Sequence, residues 1–122
     1  MARILIVDDD EQICALISRI LENDGHQTTV EMSGVEALAT LRESEFDLLL
    51  LDLVMPRKGG IETIMEIREI SPGLPIIVIS GKVTFGDASI TRLLQQYGTL
   101  AVLPKPFASE QLREAVDKAL IV

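Results

Sequence analysis

Four places in the chain hold side chains able to do chemistry, and each follows a short apolar run. Asp8, Asp9 and Asp10 come after Arg3 to Val7, and Asp52 after Leu48 to Leu51. Ser80 and Gly81 come after Ile76 to Ile79, and Lys105-Pro106 after Leu100 to Leu103. Two carboxylates about 4 Å apart repel by about 4 kcal/mol at an effective dielectric of about 20. Asp8, Asp9 and Asp52 in one crevice would therefore strain a domain whose whole stability is about 5–15 kcal/mol. One lysine offsets part of this and a divalent cation the rest. An all-oxygen set without His or Cys suits Mg²⁺, which binds through one or two carboxylates plus phosphate and water. An open metal edge, a carboxylate nucleophile, a hydroxyl and an ammonium are the parts that phosphoryl transfer needs.

These groups share a crevice only if the elements bring them together. The runs ILIV, LLLL and IIVI are uninterrupted by polar residues, the pattern of strands buried on both faces of a parallel sheet. The run Gln27 to Glu31, with Thr28 and Thr29, is more polar and suits a sheet edge. Helical stripes lie between the runs. Ile13, Leu16, Ile17, Ile20 and Leu21 form the first, stopped by Asn23-Asp24-Gly25. Ser33 and Glu36 make a capping box before Val35, Leu38 and Leu41. Ile61, Ile64 and Met65 open a third stripe, closed by Ser71-Pro72-Gly73. Asp87 caps a fourth with Ile90, Leu93, Leu94 and Tyr97, and Ser109 a fifth with Leu112, Val116, Ala119 and Leu120. Strict βα alternation predicts a doubly wound α/β fold, with five parallel strands and five helices. Such sheets bind ligands outside the carboxyl ends of their strands, where strand order reverses.

Composition narrows the function. The 122 residues make one domain, 1–122, and 48% hydrophobic residues allow a real core. A net charge of −8 repels phosphate backbones, so no direct nucleic-acid binding is expected. No membrane span or signal peptide is predicted, and the single cysteine, Cys14, points to a reducing cytoplasm. His26 is expected in a surface loop without a role, and Tyr97 in helix-end packing.

Taken in order, ILIVDDDE, DLLLLDLVMPRKGG, VISG and LPKPF resemble the receiver domains of two-component signalling over nearly the full chain. The resemblance implies the flavodoxin-like strand order 2-1-3-4-5, which chemotaxis receivers share. It implies a switch that is not an enzyme in its own right, taking a phosphoryl group from a histidine kinase or phosphotransfer protein onto Asp52. Mg²⁺, with Mn²⁺ as substitute, would be held by Asp9, Asp52 and the main-chain carbonyl of Val54, and by Asp8 through water. Ser80 and Lys105 would bind phosphoryl oxygens, with a cis bond between Lys105 and Pro106. Related receivers pack the first helix on the kinase's helix pair, which implies docking through Cys14, Ala15 and Ser18. The downstream protein is not specified by the sequence.

The chain also departs from its relatives. Val102 stands where many receivers carry a rotating Tyr or Phe, and Gly59 where Asp is common. The stretch from Ser80 to Gly98 is longer than usual, and two readings of its segment 81–86 stand side by side: a loop that closes over the phosphorylated site, and a loop that is simply long and loose. With no output region after the fifth helix, a stand-alone receiver is expected. Two other readings use the same residues: a haloacid-dehalogenase-like phosphatase with Asp8 as nucleophile, and a flavodoxin-like binding domain.

Overall fold

A computed structural model describes residues 1–53, 60–81, 92 and 94–120. The elements are β1 (Arg3–Val7), α1 (Glu11–Asn23), β2 (Gln27–Glu31), α2 (Gly34–Glu43), β3 (Leu48–Asp52) and α3 (Gly60–Ile70). Then come β4 (Ile76–Ser80), α4 (helical at 92 and 94–96), β5 (Thr99–Pro104) and α5 (Ser109–Leu120). All five strands are parallel, in the order β2-β1-β3-β4-β5. The expected doubly wound fold is therefore present, with the polar β2 at one edge. Val54, Gly59, residues 82–86, Asp87, Ile90 and Leu93 lie outside the described residues.

The continuous apolar strands serve two cores. Ile4, Ile6, Leu48, Leu50, Ile77 and Ile79 face α1 and α5, meeting Cys14, Ile17, Leu21, Leu112 and Val116. Leu5, Val7, Leu49, Leu51, Ile76 and Val78 face α2 and α3, meeting Ala37, Leu38, Leu41, Ile64 and Ile67. A strand whose alternate residues face two helical layers has no wet side, and that is why its sequence shows no polar alternation.

Several expected inward residues point outward: Leu16 is 45% exposed, Val35 65% and Met65 45%. Each lies beside a truly buried residue, and a step of about 100° per residue carries a neighbour out of a narrow stripe. Cys14 is the reverse case. Expected on a docking face, it is 3% exposed and belongs to the core of the α1 and α5 layer. Ala15 is exposed and Ser18 half-buried. Ser33 caps α2 by accepting from the Glu36 amide, as expected. Ser109 is not the cap of α5: it lies inside the helix, Ala108 O accepts from the Leu112 amide, and Gln111 Oε1 accepts from the Ala108 amide at 2.8 Å.

Two side chains that the sequence left without a role tie the far end of the sheet. His26 Nδ1 accepts from the Ala2 amide at 3.1 Å. The Arg68 guanidinium donates to the carbonyls of Ser71, Pro72, Leu74, Tyr97 and Gly98, joining the α3–β4 turn to the entry of β5.

The α2–α3 packing needs Gly34. A Cβ there would lie 2.6 Å from Oγ1 of the buried Thr63. Overpacking costs about 1–3 kcal/mol, more than the roughly 1 kcal/mol that Ala gains over Gly in a helix. Gly34→Ala is expected to lower the urea midpoint accordingly. Gly73→Ala, whose Cβ meets nothing within 4 Å, should unfold like the parent. Equal midpoints for the two variants would refute the close approach.

Candidate functional site

Strand order places the chemistry. β1 and β3 are neighbours at the point where the chain reverses direction across the sheet, with Val7 paired to Leu51. The next residue of each strand is an aspartate, so Asp8 and Asp52 arrive side by side at the carboxyl ends. Asp8 is fully buried, Asp52 is 4% exposed, and Asp9 is open to solvent. Carboxylate oxygens of Asp8, Asp9 and Asp52 all lie within 4.8 Å of one another.

Lys105 answers this charge from the far side. Its Nζ lies 2.7 Å from Asp8 Oδ2 and 3.4 Å from Asp52 Oδ2. Burial alone would push the ammonium's pKa down. The hydrogen bond to Asp8 and the charges of Asp52 and Asp8 outweigh it, and the pKa is raised above the ordinary lysine value. Lys105 N also donates to Ser80 O at 3.0 Å, which joins the hydroxyl residue to the lysine through main chain. Ser80 is fully buried, and a Cβ on Gly81 would meet Lys105 Cβ at 3.4 Å. The Lys105–Pro106 bond is cis.

The structure thus brings Asp8, Asp9, Asp52, Ser80 and Lys105 to one end of the sheet. Asp10 belongs elsewhere: its carboxylate caps α1 by accepting from the amides of Gln12 and Ile13. Three carboxylates against one ammonium leave a formal charge of −2 in the cluster. The donor set is all oxygen, and one member faces solvent. That fits a hard divalent cation with several waters, Mg²⁺ in particular, and not a metal needing His or Cys.

The chain matches the response regulator receiver domain over residues 4–117. It belongs to that family. Receiver domains are phospho-accepting switches of two-component systems, typically with Mg²⁺ at an acidic pocket. The chain is 41% identical over 108 residues to a response regulator receiver protein of Anaeromyxobacter sp., covering 88% of this chain and 44% of that one. It is 35% identical over 117 residues to the transcriptional regulatory protein ZraR of Salmonella typhimurium, covering 96% and 26%. The chain therefore spans less than half the length of these two curated relatives. A CheY-like receiver domain protein of Methanospirillum hungatei superposes with a TM-score of 0.91 at 28% identity, over 98% of this chain and 94% of that one. Membership decides against the phosphatase and flavodoxin-like binding readings. Among the described residues, no helix of this receiver is long and apolar enough to cross a membrane.

Nothing in the sequence pattern marks Cys14 for this site, yet it reaches it. Its Sγ donates to the main-chain carbonyl of Asp8 at 3.2 Å. Burial, then the charges of Asp8 and Asp10, push the thiol pKa up to about 11. The thiolate is the reactive form. At pH 8 the native protein should therefore resist iodoacetamide, while the urea-unfolded chain alkylates readily. Equal alkylation rates, read by mass, would contradict the burial.

Proposed function

We propose that this receiver accepts a phosphoryl group on Asp52 from a histidine kinase or histidine phosphotransfer protein, in the cytoplasm, and thereby changes its binding to a downstream protein. The observation that carries the reading is the company of Asp52: two further carboxylates within 4.8 Å and the Lys105 ammonium at 3.4 Å, all at the end of a buried strand.

In this reading an Asp52 carboxylate oxygen attacks phosphorus. The bond from phosphorus to the donor's imidazole nitrogen breaks, and its electron pair leaves with that nitrogen. Mg²⁺, held by Asp9, Asp52 and the Val54 carbonyl and through water by Asp8, would neutralise oxygen charge as transfer proceeds. Lys105 takes one phosphoryl oxygen by a charge-assisted bond, and the Ser80 hydroxyl donates to another. Asp8 keeps the ammonium on station through the 2.7 Å contact. The exposed Ala15 and half-buried Ser18 remain the docking residues of α1, and Cys14 leaves that group. Relatives include transcriptional regulators. The partner of this acidic chain is taken to be a protein, since its charge of −8 disfavours nucleic acid.

Two experiments test the reading. Acetyl phosphate with Mg²⁺ should add one phosphoryl group, detected by intact mass, and Asp52→Asn should add none. An adduct that persists in Asp52→Asn would sink the assignment. Separately, Mg²⁺ at ten times its Kd should stabilise the fold by about 1.4 kcal/mol, since it binds the native state only, and the melting temperature should rise by several degrees. Asp9→Ala should melt higher without metal, through relief of repulsion, and lose most of the Mg²⁺ response. Identical melting of the parent in millimolar Mg²⁺ and in chelator would count against the metal.

A further inference from the structure

The two peptide units that flank Asp9 are each held by a side chain. The carbonyl of the unit between Asp8 and Asp9 accepts from Cys14 Sγ at 3.2 Å. The amide of the unit between Asp9 and Asp10 donates to Asp8 Oδ1 at 2.9 Å. The Asp8 carbonyl lies outside the helical ladder, whose first bond runs from the Cys14 amide to Asp10 O at 3.0 Å. Donor and acceptor are both buried, Asp8 at 0% and Cys14 at 3% exposure. Asp9 itself is exposed, so its aim is set by its backbone more than by packing. Rotation of either flanking peptide would swing its carboxylate away from Asp8 and Asp52.

We propose that Cys14 is a positioning residue for the cation site: its thiol fixes the Asp8–Asp9 peptide and through it the direction of the Asp9 carboxylate. The inference rests on the reading of Asp8, Asp9 and Asp52 as the Mg²⁺ site. An aliphatic side chain would fill the same space between α1 and the sheet but could not donate. The Asp8 carbonyl would then be buried without this partner, and the peptide would turn to find another. Partners in the outer shell of a metal site act in this way, through the ligands they orient.

The test compares side chains that differ in the donor alone. Cys14→Ala and Cys14→Ser both remove the sulfur, and only Ser keeps a hydrogen to give. If Cys14 merely fills space, Ser should do no better than Ala and pack worse as a buried polar group. Under the proposal, Mg²⁺ titrated calorimetrically into Cys14→Ala binds about tenfold more weakly than into the parent, the low end of outer-shell effects. Cys14→Ser should recover most of that loss, whatever the order of the two melting temperatures. A readout without metal runs beside it. The Asp9 and Asp10 amides should exchange with solvent faster in Cys14→Ala than in Cys14→Ser. Should the Ala variant fail to fold, Cys14→Val and Cys14→Thr provide the same contrast at equal shape. Equal Mg²⁺ affinity and equal exchange in the donor and non-donor variants overturn the proposal. If the parent itself does not bind Mg²⁺, the reading of the site fails and the proposal fails with it, a result distinct from a parent that binds and variants that do not differ.

Discussion

Crowding of negative charge at the carboxyl ends of β1 and β3 is the constraint around which the rest of the molecule is arranged. Adjacent parallel strands bring Asp8 and Asp52 together, and Asp9 follows on the same turn. Nothing in the apolar layers beneath can answer that charge. Lys105 answers it from beyond β5, on the far side of β4, and it reaches Asp8 because β4 and β5, after a register shift between Ile76 and Ile77, pair continuously from Ile77 and Ala101 to Ser80 and Pro104. The hydrophobic sheet thus acts as the ruler for an electrostatic contact. Its two buried layers hold the strand ends firmly enough for carboxylates to stay close despite their repulsion. A lysine lost from such a pair would leave a fully buried carboxylate uncompensated, a change of about 3–5 kcal/mol.

The sheet was legible because its strands are buried on both faces. ILIV, LLLL and IIVI could be read directly as interior strands, and the polar Gln27 to Glu31 as an edge. Helix faces were harder. Leu16, Val35 and Met65 are apolar residues next to buried ones, and periodicity alone cannot say which of two adjacent apolar positions turns inward. Cys14 misleads for a chemical reason: a small thiol suggests a contact surface, yet free cysteine behaves as a small hydrophobe and is among the most buried residue types. Arg68, His26 and Gln111 escape a sequence reading because their bonds go to main-chain groups set by tertiary folding, and no spacing announces them.

The residues gathered at the site were legible for a different reason. A doubly wound sheet collects whatever follows its strands, so Asp8, Asp52, Ser80 and Lys105 could be assembled from topology before any distance was known. What topology could not convey is how the parts are coupled. The Lys105 amide donates to the Ser80 carbonyl, so the hydroxyl and ammonium residues are tied to each other through main chain. Val102 lies half-buried on β5, opposite Val78, in the same apolar cluster as Tyr97. It has no ring to turn, and its β-branch makes it stiff about χ1. At the other end of the strand, Arg68 holds the carbonyls of Tyr97 and Gly98. β5 is therefore fixed at its entry by a guanidinium and at its exit by that main-chain bond to Ser80.

Three consecutive aspartates show how environment divides labour among identical side chains. Asp8 is engaged at every oxygen: Oδ1 accepts from the Asp10 amide, Oδ2 from Lys105, and its carbonyl from Cys14, while each carboxylate oxygen keeps a lone pair for a water. A carboxylate so engaged serves as a fixed negative charge and an orienting group, and it is poorly placed to act as a nucleophile. Asp10 spends its oxygens on the first turn of α1, where the positive end of the helix dipole favours an anion. Asp9 lies between them, exposed, with its backbone held at both peptides. It alone of the three combines proximity to Asp52 with access to solvent, the pair of properties a direct cation ligand needs when the cation must keep some of its water. The sequence writes these residues as DDD. Their separate fates follow from the start of a helix one residue later and from a lysine 97 residues away.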